Sequence, residues 1–297
     1  MQFDLQQAFS RNRGLISDDE QRRLAHCRVV VAGCGGVGGS HAVALARLGI
    51  GRFRITDPDS YSVGNFNRQV GATIHTVDRN KAEVIAEMIA AINPCAEVEV
   101  IPGGINPANV GQFVADADLV IDGVDFFALR ARRTLFTSAW AAGIPAMTAA
   151  PLGFSATVQT FAPGGMSFDE YFDISDDQPY FDQIVNFLLG LAPAALHLPY
   201  TDLSGVDPKT GRGPSSVVGV QMAACLVGAQ AVKVLLDRGN VQLCPHYVQF
   251  DAYRLQMRSG RLAKGNRAWT QRVKRRFLVR KLQQLGLAQA FELASNY

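Results

Sequence analysis

Four glycines crowd into six positions at Gly33-Cys-Gly35-Gly36-Val-Gly38, directly after the apolar run Val29-Val-Val-Ala32. A strand that enters G-x-G-G-x-G and leaves as a helix is the setting of a nucleotide-binding turn. The glycines let the backbone approach phosphates, and the helix N-terminus offers them free N–H groups. Asp57 ends the next apolar run, 24 residues after Gly33, where a carboxylate can accept hydrogen bonds from ribose hydroxyls. Three polar sets follow: Asn65-Phe-Asn-Arg68-Gln69, Lys81 at the start of a helical stretch, and Asp122-Gly-Val-Asp125. A dehydrogenase needs the glycine turn, Asp57 and little more. An arginine, a lysine and a carboxylate grouped around phosphates suit ATP chemistry: the cations offset phosphate charge and the carboxylate holds Mg2+.

These residues need a scaffold, and the pattern supplies one. Apolar runs at 28–32, 52–56, 97–101, 118–122 and 145–149 read as strands. Helical stretches separate them at 40–48, 79–92, 107–115 and 127–142, the second with Val84, Ile85, Met88, Ile89 and Ile92 on one stripe. Such alternation predicts an α/β, Rossmann-like sheet, parallel in its N-terminal part, with helices on both faces. After Phe154 the rhythm changes. Residues 155–161 and 246–251 read as antiparallel strands, 164–213 as a long loop of weak periodicity, and 215–237 as a core helix. Ser17 and Glu20 form a capping box that starts a helix in the N-terminal arm. The expected organisation is an arm at 1–27, a main domain at 28–253 with a crossover or substrate loop at 164–213, and a basic helical tail at 254–297.

Composition narrows the function class. The 297 residues are 48% hydrophobic and 19% charged, a globular composition. No uninterrupted apolar run reaches 18 residues, and Met1–Leu5 carries no secretory pattern, so neither a membrane span nor a leader is expected. Five scattered cysteines without a Cys-x-x-Cys pair argue against disulfides and structural zinc and point to a reducing cytoplasm. The net charge of +3 hides an asymmetry: 254–281 holds eleven Lys/Arg and no Asp/Glu, and the rest of the chain nets −8. Within that rest, 169–182 carries six acidic residues and no basic one. The basic tail is therefore expected to dock on the body or on a second subunit. Nucleic acid remains a partner that charge alone allows.

The motifs G-C-G-G-V-G, D-P-D-S-Y-S-V-G-N-F-N-R-Q, R-N-K-A-E and D-G-V-D together resemble the ThiF/MoeB-type family, the ubiquitin-activating-enzyme-like adenylyltransferases, from about Ser10 to Asp251. The resemblance implies a homodimer that activates a carboxylate with ATP and Mg2+ as acyl-AMP, releasing pyrophosphate. It implies that Gly33, Gly35, Gly36, Gly38, Asp57, Asp59, Asn65, Arg68, Gln69 and Lys81 bind ATP, and that Asp125 binds Mg2+. It further implies an N-terminal arginine that reaches the partner subunit's site, with Arg11 the first choice and Arg13 the second. The substrate would be a small molecule or a peptide or protein C-terminus.

The chain departs from that family in three places. The zinc pairs are absent, 164–213 contains no cysteine, and the usual Asp-Asn after the fourth strand is Asp125-Phe126. Of the thiols, Cys34 and Cys225 read as packed and Cys244 as the exposed one. A relative of the tRNA threonylcarbamoyladenosine dehydratases, or a nucleotide-binding pseudoenzyme, is the alternative reading.

Overall fold

The computed structural model describes residues 3–207, 213–288 and 291; the outermost parts of the arm and tail and residues 208–212 lie outside them. Eight strands form one sheet: β1 (Arg28–Ala32), β2 (Arg52–Thr56), β3 (Glu97–Val100), β4 (Leu119–Asp122), β5 (Ala146–Leu152), β6 (Ser155–Phe161), β7 (His246–Asp251) and β8 (Gln256–Arg261). Their spatial order is β3-β2-β1-β4-β5-β6-β7-β8. The first five are parallel and the last four pair antiparallel. The helices are α1 (Leu5–Ala8), α2 (Asp18–His26), α3 (Gly36–Arg47), α4 (Lys81–Ile92), α5 (Val110–Val114), α6 (Leu129–Ala141), α7 (Phe168–Phe172), α8 (Tyr180–Leu191), α9 (Val217–Leu235) and α10 (Trp269–Gln284).

Two apolar cores sandwich the sheet. Val29, Val31, Leu119 and Ile121 face α2, α3, α4 and α9, while Val30, Ala32 and Val120 face α5, α6, α7 and α8. Central strands buried on both faces need unbroken apolar runs, which is why β1 and β4 read so plainly in the sequence. The chain leaves β1 towards β2 on one side and later returns to β4 on the other. This reversal opens a crevice at the carboxyl ends of β1 and β4, where sheets of this kind bind ligands.

Three expectations need correction. The first part of the 164–213 segment is not a loop: α7 and α8 lie there, and Phe168, Tyr171, Phe172, Ile184 and Phe187 fill the second core. Their aromatic rings pack on Phe136 and Phe161, so burial rather than helical periodicity sets the structure here. Second, the boundary at residue 253 cuts a hairpin, because β8 pairs with β7. Third, the tail helix turns only part of its apolar surface, Leu278, Val279 and Leu282, to the body. Trp269 is 76% and Phe277 69% exposed, whereas Gln271 and Leu282 are buried. Polar pairing adds to this contact. Gln271 donates to the Leu189 carbonyl and to Asn266, and Arg275 donates to Asn186 at 2.9 Å. The basic run does meet the acidic segment, through Arg267–Glu170 and Arg275–Asp182.

Two cysteines exchange places with expectation. Cys244 is buried and Cys225 is exposed on the outer face of α9. That helix is apolar enough by length and composition to cross a membrane, with a mean hydropathy of 1.6, and it packs on α3, β5 and β6.

Candidate active site

The glycine turn divides into two structural and two open positions. Gly33 has φ +91°, and a Cβ there would lie 2.2 Å from the Gly123 carbonyl oxygen. A Cβ on Gly38 would lie 1.8 Å from the Gly33 oxygen. These two glycines let α3 sit directly on β1 and draw in the loop after β4. Gly35 and Gly36 are roomier. A Cβ at Gly35 would meet Gln69 at 3.7 Å, and one at Gly36 would meet Val220 at 3.5 Å and Arg68 at 3.9 Å. They line the open side of the turn, next to two of the side chains that the motifs single out. Gly35 is the N-cap of α3 and no side chain caps it. The first-turn N–H groups of a 12-residue helix are thus left for an external acceptor, with the positive end of the helix dipole behind them.

Asp57 is buried beneath the turn. Its oxygens accept from the Cys34 N–H at 2.6 Å and the Asp59 N–H at 2.8 Å. Burial raises its pKa, and the nearby Lys81 partly offsets this. Lys81 opens α4 with its ammonium buried and bonded to the exposed Asp59 carboxylate at 2.8 Å. Asn80 caps that helix and donates to the carbonyls of Asp57 and Asp59, which fixes both loops relative to the lysine.

The loop after β2 brings in the other polar groups. Asn65 accepts from the Ser62 N–H at 2.9 Å. Its carbonyl closes the turn that carries Arg68 and Gln69. Arg68 donates to the Gly64 carbonyl at 3.0 Å and to Asn67 at 2.8 Å. Gln69 is buried beside Gly35, and its amide oxygen has no partner among the described residues. An unpaired acceptor in a buried place is costly and suits a ligand that brings a donor. Asp125 joins the group because Gly123 touches Gly33. Its Oδ1 accepts from the Phe127 N–H at 2.9 Å, and the residue is exposed, just past the carboxyl end of β4. Among the described residues no three His, Cys, Asp or Glu side chains converge as a metal cage. A lone carboxylate beside a phosphate cradle is the donor set Mg2+ takes when phosphates and water complete its shell.

Phe126, in the place of the family's asparagine, turns back into the core and packs on Phe127 at 5.1 Å and Phe187 at 5.4 Å. Arg11 is not part of its own site. It lies in the turn Ser10–Asn12, whose Asn12 donates to Gln21 and to the carbonyl of Leu48 at the far end of α3. That helix is about 18 Å long at 1.5 Å per residue. Arg13 is engaged by Asp18 at 3.0 Å.

Two contributors were not singled out by sequence. Buried Tyr61 donates to the Cys34 carbonyl and crowds Gly71, pinning the Arg68 loop under the glycine turn. Arg132 pairs with Asp122 inside the protein. Nothing in the local pattern marks either one, since both act through contacts distant in sequence.

Known proteins resemble this chain in sequence and in fold. The chain is 28% identical over 247 residues to the probable adenylyltransferase/sulfurtransferase MoeZ of Mycobacterium tuberculosis, an alignment that covers 81% of this chain and 55% of that protein. The chain thus spans about half the length of that curated relative. It is 39% identical over 120 residues to the tRNA threonylcarbamoyladenosine dehydratase of Escherichia coli, covering 40% of this chain and 45% of that one. The fold is similar to that of Escherichia coli MccB solved with ATP, at a TM-score of 0.63 and 19% identity, with 84% of this chain and 68% of that one covered. The ThiF family matches residues 9–270, nearly the whole of the described structure, and the chain belongs to that family.

Proposed function

We propose that this protein is an ATP- and Mg2+-dependent adenylyltransferase that activates a carboxylate as acyl-AMP and releases pyrophosphate. The uncapped N-terminus of α3, with Lys81, Arg68 and Asp125 around it, carries the reading. The α3 amides and the two cations hold the phosphates. Asp57 lies beneath the turn, where a ribose would rest, and Gln69 offers its unpaired oxygen to a ligand donor. Asp125 would hold Mg2+, which when bound offsets phosphate charge during transfer.

An oxygen of the substrate carboxylate attacks the α-phosphorus of ATP. A new P–O bond forms, the bond to the bridging oxygen breaks, and pyrophosphate leaves with that electron pair. No proton moves, because the nucleophile is already ionised near neutral pH. The barrier is repulsion between anions, which Lys81, Arg68 and the helix dipole reduce.

The proposal includes a homodimer in the cytoplasm. Arg11 sits too far from its own phosphate turn to act there, so the arginine would serve the partner's site. The outer face of α9, with exposed Val217, Val218 and Cys225, is an apolar surface suited to a second copy. The substrate proposed is a peptide or protein C-terminus, and the names of relatives support this choice: one is a sulfur carrier protein adenylyltransferase, and MccB is solved in complex with N-formylated MccA. The tRNA dehydratase likeness is confined to 40% of the chain and supports the activation step that the two readings share.

Exchange of labelled pyrophosphate into ATP, screened over peptides with free C-termini, tests the proposal. Exchange should be present in the wild type and lost in Asp125→Ala. Exchange that survives Asp125→Ala would remove the role given to that carboxylate.

A further inference from the structure

Arg132 lies on α6, seven residues past Asp125, and its guanidinium is the centre around which residues 122–126 wrap. Its Nε donates to Asp122 at 2.7 Å, one Nη to the Phe126 carbonyl at 3.3 Å and the other Nη to the Val124 carbonyl. Asp122 in turn accepts from the Val124 N–H at 3.0 Å. Both side chains of this ion pair are buried, at 4% and 2% exposure. Burying such a pair is rarely the cheapest way to stabilise a core, because well-packed apolar residues of similar volume often do as well or better. What the pair gives here is geometry. The carbonyls just before and just after Asp125 are both tied to one planar fork.

The fork is held from the other side by α8. The Phe187 ring lies under the guanidinium, 4.6 Å from its carbon to the ring centroid, and the same ring packs on Phe126. Tyr180, at the start of α8, donates to the Phe127 carbonyl. A segment that reads as a cysteine-free loop thus braces the turn that presents the carboxylate.

We infer that Arg132 is a positioning residue for the divalent-cation site, and that α8, through Phe187 and Tyr180, keeps it in place. The inference rests on the reading of Asp125 as the Mg2+ ligand. In this arrangement the residue after Asp125 is an anchor: its ring joins α8 and its carbonyl binds Arg132. An apolar residue there is therefore compatible with an intact cation site.

The test uses the full chain and a hydrolysis-resistant ATP, the α,β-methylene analogue. Mn2+ serves as a paramagnetic substitute for Mg2+, since both prefer octahedral oxygen ligands. Analogue affinity is measured first without metal, and Mn2+ affinity is then measured by electron paramagnetic resonance on the analogue complex. Loss of an outer-shell partner commonly weakens metal binding by about 10–100-fold. Arg132→Gln should fall in that range with metal-free analogue affinity unchanged, because the glycine turn, Arg68 and Lys81 are untouched. Arg132→Lys should rescue only part of the loss, since an ammonium cannot reach both carbonyls and Asp122 together. Phe187→Leu keeps the ion pair, should show a smaller loss of the same kind, and decides the matter if Arg132→Gln does not fold. Wild-type Mn2+ affinity in folded Arg132→Gln or Phe187→Leu overturns the inference. An equal loss of metal-free analogue binding also overturns it, because it would mean general loosening. Asp125→Ala separates the two levels: if it leaves Mn2+ affinity unchanged, the reading of Asp125 itself has failed.

Discussion

Lys81 and Arg275 are both cations held by a carboxylate, one at the parallel half of the sheet and one beside the antiparallel half. Among the described residues the Lys81 ammonium has a single hydrogen-bond partner, Asp59, whose side chain is 66% exposed. Two of its three donors are uncommitted, and the helix end nearby has no cap. Arg275 is closed off: it donates to Asp182 and to Asn186, and Asn186 passes the network on to the Asp173 carbonyl. Close by, Asn266 donates to the carbonyls of Phe172 and Asn186 and accepts from Gln271. The first region holds charge in readiness for a ligand, whereas the second spends its polar groups on assembly. Mutations should therefore separate activity from stability along this line.

The largest effect is expected at Lys81. Lys81→Met removes the cation proposed to meet the phosphates and should lower the rate of pyrophosphate exchange by about 10²–10³-fold, the usual range for one preorganised electrostatic group. The melting temperature should barely change, since the pair with Asp59 is exposed on one side. A large drop in melting temperature with little loss of exchange would erase the distinction between the two regions.

Acid should act on both regions alike, through two buried histidines. Burial lowers the pKa of His41, on α3, to about 3 and that of His197, between β6 and β7, to about 4. Both are therefore neutral when folded and protonate on unfolding below their ordinary value of about 6.5. Their contribution to stability is complete above that value. It is lost as pH falls from about 6.5 towards the folded values, at about 1.4 kcal/mol per pH unit for each group. His41→Leu should remove one proton from the uptake on unfolding and flatten the acid limb of a denaturation series by that slope. An unchanged slope would show that His41 is hydrated and titrates normally in the folded protein.

The same division explains what the sequence discloses. The nucleotide half is legible because its constraints are local: glycine where a Cβ would strike a carbonyl, a carboxylate at a strand end, unbroken apolar runs in strands buried on both faces. The other half depends on partners far away in the chain. The acidic residues at 169–182 read only as a cluster of charge in a weakly periodic loop, but Arg133 on α6 binds Asp169 and Asp176, and Arg275 binds Asp182. Strand β8, Gln-Met-Arg-Ser-Gly-Arg, has no alternation to reveal it because it lies at the sheet edge. Cys225 differs from its expected place for a related reason: an apolar neighbourhood in sequence does not say which face of α9 is covered. Arg132 is hidden most completely, since its role comes from backbone carbonyls, which carry no residue-type signature.

The smallest predicted effect, Arg275→Met, probes how the second region is held. Two mechanisms act at this arginine, and salt tells them apart. The pair with Asp182 is only partly buried, with side chains 34% and 37% exposed, and such a pair contributes about 0–1 kcal/mol that fades with ionic strength. The bond to Asn186 differs, because Asn186 is buried and its oxygen would be left without that donor, a cost that salt does not screen. Urea denaturation of Arg275→Met should show a loss of about 1–2 kcal/mol, most of which persists at 1 M salt by the short screening length there, while pyrophosphate exchange stays at the wild-type rate. A loss that vanishes in high salt would make the junction of α10 with α8 an ordinary surface ion pair. A loss of exchange would instead tie the basic helix to the active site and dissolve the contrast with Lys81.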